Sequence, residues 1–223
     1  MDKRRKQIRK STCIVVMLSS FLATMSANAD DRWYIGATAG FTNNGVSSLD
    51  LNTDGLDGKA KADADNGYTM GAVFGREFND RWRLEGEFRY RTNEFSSVDL
   101  PDGNVISDGD FSSGAIGLNG YWMFGETTSN WRPFVGAGLA WMQEIDLDLA
   151  EDPVNGSYSG DGTAWQLMGG VSWTLSDSWG IDFEARYLDA GNVTMDAERG
   201  PLGGSIQADY SVFEVTAKAN WRF

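Results

Sequence analysis

Two segments of the sequence carry acidic or basic side chains at nearly every second position, and they hold the residues best suited to do chemistry. The segments are WRLEGEFRY at 82–90 and WGIDFEARY at 179–187, which lie 97 residues apart (179 − 82 = 97) and share the pattern W-x-[LI]-[DE]-x-E-x-R-Y. Closely spaced carboxylates such as Glu85 and Glu87 are able to transfer protons, whereas carboxylates opposite arginines form strong ion pairs. The likeness is explained either by duplication of a hairpin or by convergence of two strands on the same position in the fold, with an interface tryptophan outside and charges inside.

The composition narrows the chemistry, because the chain has no histidine and only one cysteine. Without histidine there is no Ser-His-Asp triad, no Cys-His pair and no imidazole metal site. A single cysteine forms neither an intrachain disulfide nor a thiolate zinc site. We therefore predict a protein that is not an enzyme and needs no cofactor.

One weak metal candidate remains in an acidic segment. Asp50, Asn52 and Asp54, followed by Gly55, match the opening of a calcium-binding loop. The twelfth place of such a loop is a bidentate glutamate, but here it is Lys61. The sequence therefore predicts no dedicated metal site. The alternative for these carboxylates is a solvated acidic surface, which would share divalent cations with lipopolysaccharide phosphates.

The overall charge and hydropathy exclude two further classes of protein. The chain has 19 Lys and Arg against 32 Asp and Glu, a net charge of −13, and a pI near 4.4. Proteins that bind nucleic acid need a basic surface for the phosphates, so no nucleic-acid partner is expected. The mean hydropathy of −0.37 argues against a bundle of membrane-spanning helices.

The N-terminus predicts a cleaved signal peptide at 1–29, followed by one domain at 30–223. Six Lys and Arg precede an apolar stretch at 13–23, and Ala27-Asn28-Ala29 fits the small-x-small cleavage pattern. The alternative, an uncleaved anchor helix, suits so short an apolar stretch poorly. Cleavage would leave 13 basic residues (19 − 6) and 31 acidic ones (32 − 1), a net charge of −18.

Most of the remaining chain alternates with period two, which is the signal of β-strands. Short turns alternate with long acidic loops, predicted at 42–66, 95–110, 146–162 and 189–207, and this asymmetry is typical of bacterial outer-membrane barrels. The fold predicted is an all-β, eight-stranded antiparallel up-and-down transmembrane β-barrel with short periplasmic turns and long extracellular loops. The eight strands are predicted at 33–41, 68–78, 82–91, 115–124, 134–141, 165–173, 179–187 and 213–223.

The tryptophans indicate which face of each strand meets lipid. Seven of the nine lie at the short-turn end of a predicted strand, and amphipathic aromatic rings mark membrane interfaces. The predicted interface aromatics are Trp33, Trp82, Trp122, Trp131, Trp173, Trp179 and Trp221.

If the apolar faces point to lipid, the charged faces line the interior. Buried charges are costly unless they are paired, so we predict a salt-bridge network that plugs the lumen. The alternative is a narrow, gated ion path through the same residues. The predicted network contains Glu85, Glu87, Arg89, Arg132, Asp182, Glu184, Arg186, Glu214, Lys218 and Arg222.

The C-terminal segment alternates apolar residues and ends in Trp221 and Phe223. Together with WRPFVGAGLA at 131–140, AWQLMGGVSW at 164–173 and the two E-x-R-Y strands, it resembles the small eight-stranded outer-membrane barrel superfamily of OmpA-like transmembrane domains, OmpX/Ail and opacity proteins. The resemblance implies the outer membrane of a Gram-negative cell envelope, and a terminal signal read by the barrel-assembly machinery. It also implies no enzyme, since the small outer-membrane enzymes depend on an essential histidine.

The function that follows is a structural or surface-interaction scaffold. Its acidic extracellular loops would contact lipopolysaccharide and extracellular partners, as surface antigens do. The alternative is a small porin-like channel for ions or small solutes.

Overall fold

The computed structural model contains β-strands and turns but no helix in the part of the chain that it describes. No helix there is long and apolar enough to cross a membrane. The predicted signal peptide at 1–29 lies outside the described residues. These residues are 32–44, 48–53, 56–78, 80–106, 109–149, 156–199 and 203–223.

The strands are of two kinds, long strands of 13 residues or more and three short ones. In chain order they are β1 (Arg32–Asn44), β2 (Ser48–Thr53), β3 (Leu56–Ala64), β4 (Asn66–Phe78), β5 (Trp82–Asp99), β6 (Val105–Ile106), β7 (Gly109–Met123), β8 (Trp131–Leu149), β9 (Gly156–Thr174), β10 (Trp179–Arg199) and β11 (Gly204–Arg222).

The long strands form an antiparallel up-and-down sheet that returns to its own first strand. Pairings run β1–β4–β5–β7–β8–β9–β10–β11, and β11 pairs again with β1. The all-β, antiparallel prediction is confirmed. The predicted count of eight strands is not confirmed, because the described residues form eleven strands, and β2, β3 and β6 lie in segments predicted to be loops.

Short connections gather at one end of the sheet. Asp80 and Arg81 turn the chain from β4 to β5, and Asp80 adopts a left-handed φ of 56°, which aspartate tolerates better than most residues. Residues 124–130 join β7 to β8, and 175–178 join β9 to β10. We call this the short-turn end, which is periplasmic in bacterial outer-membrane barrels.

Near the short-turn end, apolar side chains point outward and charged ones inward. Phe88 and Leu139, on the outer face, are 51% and 69% exposed. Glu85 and Arg186, which occupy the alternate positions on the inner face, are 0% and 1% exposed. In water this arrangement would be unfavourable, but lipid tails solvate the apolar band and the closed sheet shields the charges.

Beyond the exposed aromatic side chains of Trp141, Trp165 and Tyr187, the polarity of the strands is reversed. There Leu147 and Met195 are fully buried inside the sheet, while Asp146 and Asp148 alternate with them on the outer face. The inner residues form one apolar cluster, the upper core, that contains Leu49, Leu51, Ala60, Ala62, Val98, Leu100, Ile106, Phe111, Ala115, Ala140, Met142, Ile145, Leu147, Leu149, Tyr158, Ala164, Leu188, Val193, Met195, Ile206, Ala208, Tyr210 and Val212.

β-Bulges make the reversal compatible with continuous strands. Gln143 and Glu144 are both exposed. At this point the register of β8 shifts against both of its neighbours, β7 and β9. In β10 the register shifts between Asp189 and Gly191, and Gly191 has a φ of 63°. An extra residue turns all the following side chains to the opposite face.

The long-loop prediction was therefore wrong in extent. Strands occupy most of the segments 42–66, 95–110, 146–162 and 189–207. β10 continues 12 residues past Tyr187 (199 − 187 = 12), roughly 40 Å along the strand. The β2–β3 hairpin continues the wall between β11 and β5, above the ends of β1 and β4. We call this part of the sheet the extension.

We expect Leu147→Ala to open the extension locally, because it removes a fully buried side chain from the upper core. The free energy of local opening should fall by about 2–5 kcal/mol. Hydrogen exchange of the β8 and β9 amides above Trp141 measures this change. The matched control is Leu139→Ala on the same strand, which faces lipid and should leave those amides unchanged. Equal effects of the two variants would contradict a packed upper core.

Candidate functional site: the charged interior

Three strands supply all but one of the clustered charges of the interior, and their neighbours supply space. Charged side chains point inward from β5, β10 and β11, while β1, β4, β8 and β9 contribute mainly glycine, threonine and small residues. Gly75 shows why the space matters. A Cβ atom there would lie 2.4 Å from the Tyr34 Oη, and that hydroxyl donates to Glu85 Oε2 at 2.8 Å.

The charges form two groups, of which the one nearer the short-turn end we call the lower cluster. Arg83 bridges Asp182 at 2.7 Å and Glu77 at 2.8 Å. Lys218 lies 2.6 Å from Glu85 and 3.5 Å from Asp182. Arg222 donates to Glu77 at 3.3 Å. Three cations thus meet three carboxylates, so the lower cluster has no net charge.

The upper cluster lies further from the short-turn end and is also neutral. Arg186 bonds both carboxylate oxygens of Glu87 and lies 2.8 Å from Glu184. Arg89 lies 2.9 Å from Glu87 and 3.0 Å from Glu214. The third cation, Arg91, donates through Nε to Glu214 at 2.8 Å.

Neutral side chains join the two clusters and cover the upper one. The Tyr121 hydroxyl lies 3.2 Å from both Glu85 and Glu184, so it spans the gap between the clusters. Gln166 accepts from Arg186 at 3.0 Å and donates to Asn119. Above this level the upper core begins, and the interior becomes apolar.

The structure brings nine of the ten predicted network residues together in these clusters. The exception is Arg132, which lies at the short-turn end, half-buried, and donates to the backbone carbonyl of Asp80. The prediction had placed it among the inner charges, but it is the second residue of β8 and lies at the mouth of the sheet.

Three charged partners were missing from the predicted set. Arg83 and Arg91 belong to the same alternating segment as Glu85, so a strict reading of period two would have included them. The sequence around Glu77 shows no alternation of charged residues, because Glu77 lies near the end of β4. Its role appears only in the strand register, which places it opposite Arg83.

The predicted interface tryptophans meet across neighbouring strands at the short-turn end. Trp82 and Trp122 are register partners with ring centroids 4.6 Å apart, and Trp131 stacks on Trp173 at 4.9 Å. The others are Trp33, stacked on Phe74, and the register partners Trp179 and Trp221. The terminal residue Phe223 donates its backbone N–H to the Trp33 carbonyl at 2.9 Å.

The weak calcium candidate falls partly on a strand. Asp50 and Asn52 lie on the outer face of β2, and Asp50 pairs with Lys59 at 3.6 Å, while Asp54 lies outside the described residues. Within the described ranges no group of three or more His, Cys, Asp or Glu side chains is arranged to hold a metal ion.

Solved structures share this fold. They include OprG of Pseudomonas aeruginosa, which is 18% identical with a TM-score of 0.65 over 86% of this chain and 95% of that chain. Neisserial surface protein A (NspA) is 17% identical, with a TM-score of 0.54 over 86% and 97%. AlkL, solved in lipid bilayers, is 16% identical, with a TM-score of 0.53 over 90% and 94%. At these identities the likeness concerns the fold alone.

The sequence comparison assigns the family. No curated protein matches the chain, but residues 12–223 match the family described as "Outer membrane protein beta-barrel domain". The predicted resemblance to small outer-membrane barrels is therefore confirmed. The chain belongs to the outer membrane protein β-barrel family, and its location is the outer membrane.

Proposed function

We propose that this protein is a closed scaffold barrel that presents an acidic surface outside the membrane and conducts nothing through its lumen. The observation that supports the proposal is the sequence of barriers along the interior. A lower cluster and an upper cluster, each neutral and fully paired by charge, are followed by an apolar core. An ion crossing the barrel would have to break both clusters and then enter the apolar core.

The pairing of the buried charges also stabilises the plug against opening. Removing one partner from a buried ion pair leaves a desolvated charge, which costs far more than losing an exposed pair. Arg186 illustrates this, because it contacts both Glu87 and Glu184 and is almost completely buried. A rearrangement that opened a path would have to separate several such pairs together.

We expect no reproducible single-channel steps when the refolded protein is studied in planar lipid bilayers. Above the upper cluster, the described interior continues into an apolar core, which an ion would have to cross. Arg89→Gln and Glu184→Gln serve as comparison variants, because each removes one charge from the upper cluster. Steps in the wild-type protein that change size in either variant would contradict the plug and support the alternative, a small channel for ions or solutes.

We expect Arg186→Gln to lower the free energy of unfolding by about 3–5 kcal/mol, because it leaves two buried carboxylates without their main partner. Adding Glu87→Gln should restore part of the loss, with a coupling of about 0.5–3 kcal/mol. Denaturant unfolding in lipid vesicles measures all three variants. The control is Lys59→Gln, which breaks an exposed pair with Asp50 and should cost at most about 1 kcal/mol. A similar cost at both sites would refute the network's role.

The partners of this scaffold would meet the outer face of the extension. Acidic residues face one another there across strands, as Asp110 and Asp148 do in the β7–β8 register. Such crowding favours positively charged partners. We therefore propose that contact with lipopolysaccharide phosphates is bridged by divalent cations and that extracellular partners are basic. Biogenesis would use the barrel-assembly machinery through Trp221 and Phe223.

Asp146 should report the crowding of this acidic face. Burial and the nearby carboxylates of Glu144 and Asp148 raise the pKa of Asp146, against a hydrogen bond from Ser159 that lowers it. The fold therefore favours the protonated form, and stability is lost as the pH rises through the folded pKa. We expect Asp146→Asn to stabilise the protein at pH 7.

The gain should shrink as the pH falls and disappear below about pH 3, under the ordinary aspartate pKa of about 3.9, where Asp146 carries its proton in both the folded and the unfolded chain. Carboxyl-carbon NMR gives the pKa, and denaturant unfolding at both pH values gives the stability. The control is Asp177→Asn, which makes the same change of net charge at the short-turn end. A stabilisation of equal size by Asp177→Asn would show that net charge alone is responsible.

A further inference from the structure

A cavity of about 340 Å³ opens among the strand ends at the short-turn end of the sheet. We call it the vestibule. Arg83 and Arg222 of the lower cluster, together with Glu77, form part of its wall, and Arg132 and Asp177 line it as well. Its volume lies within the range of small-ligand sites.

Two arginines that line the vestibule each carry a hydrogen-bond donor without an acceptor. The Nε atoms of Arg83 and Arg132 are buried and have no hydrogen-bond partner in the described structure. Arg83 as a whole is only 4% exposed, so its Nε has little access to bulk water. A buried donor left unpaired costs roughly 1–3 kcal/mol. Both atoms are donors, so a ligand that satisfies them must supply acceptors.

Arg132 is the cation best placed to hold such a ligand. It donates one N–H to the backbone carbonyl of Asp80, which fixes its guanidinium at the mouth, but it forms no ion pair with any described carboxylate. Arg83 and Arg222, in contrast, share the carboxylate of Glu77 at 2.8 and 3.3 Å. Because its Nε has no acceptor among the described residues, Arg132 is able to bind a ligand that enters from the periplasmic side.

Net charge is not what would select the ligand. Four arginines line the vestibule, but Glu77, Asp80 and Asp177 offset most of their charge. The fixed direction of the guanidinium N–H groups must then provide the selectivity. Planar guanidinium groups match the paired oxygens of carboxylates and phosphates, whereas a spherical ion such as chloride lacks that geometry.

We propose that the vestibule is a binding site for an oxyanion, a carboxylate or a phosphate group, held by Arg132 and Arg83. The site would take its ligand from the periplasmic space or from the headgroup of an inner-leaflet phospholipid. It does not depend on whether the lumen conducts, because the lower cluster forms its inner wall.

The test is an NMR titration of the refolded protein in non-ionic detergent micelles. The signals observed are the arginine Nε–Hε groups, and the probes are inorganic phosphate and acetate, with sodium chloride at equal ionic strength as reference. We expect saturable shifts at Arg83 and Arg132 with phosphate or acetate, and unchanged signals at Arg186, which lies deep in the upper cluster. Titration with phosphatidylglycerol in the same micelles separates the two sources: a response to this lipid alone assigns the site to a headgroup.

Variants at the mouth make the test specific. Arg132→Gln should weaken phosphate binding about tenfold, the effect of losing one charge-assisted contact, and Arg132→Lys should also weaken it, because lysine keeps the charge but not the planar donors. The matched control is Arg81→Gln on the adjacent turn, which should leave phosphate binding unchanged. The Arg81 guanidinium carbon lies 6.0 Å from the centroid of the Trp122 ring. If a variant does not fold, the wild-type titration still decides.

The proposal is overturned if no probe produces a saturable shift, if chloride produces the same shift as phosphate, or if Arg132→Gln binds phosphate as tightly as the wild type. The scaffold proposal would survive each of these results, since it rests on the clusters and the upper core and is tested by conductance.

Discussion

The pairing of charge inside a narrow cylinder is the constraint on which the rest of this structure depends. Among the described residues, the two clusters of the interior hold six cations and six carboxylates in contact, and a buried charge without a partner would be severely destabilising. This requirement helps to set the strand register, because a slip by one residue would turn a charged face into lipid. It also explains the glycines opposite β5, β10 and β11, since long side chains on every strand would not fit.

The second organising feature is the change of polarity along the long strands that enter the extension. Around Leu139 the outer face is apolar, whereas around Leu147 it is acidic, and the apolar side chains change sides accordingly, as expected where a barrel passes from lipid into water. The bulges at Gln143–Glu144 and at Asp189–Gly191 accomplish the change without ending β8 or β10. One continuous sheet therefore contains both a membrane barrel and a water-soluble extension with its own apolar core.

The two ends of the barrel consequently differ in chemistry. The extension offers an acidic outer face over an apolar interior, so recognition there would rely on surface charge. The short-turn end offers a polar cavity whose inner wall is the lower cluster, and Arg83 belongs to both. This double role links the stability of the plug to the vestibule, because a ligand bound to Arg83 would also stabilise its contacts with Asp182 and Glu77.

The sequence by itself determined the fold class, the membrane-spanning strands and most of the inner charges. Within the membrane, period two, aromatic residues and the charged segments around Glu85 and Glu184 all point to the same arrangement. It did not reveal the extension, because the polarity reverses there, the bulges interrupt the alternation, and aspartates between leucines look like loop. Only the tertiary structure decided that Glu77 joins the clusters and that Arg132 does not. Both residues stand at strand ends, where period two no longer specifies direction and the neighbours across the sheet decide what each side chain meets.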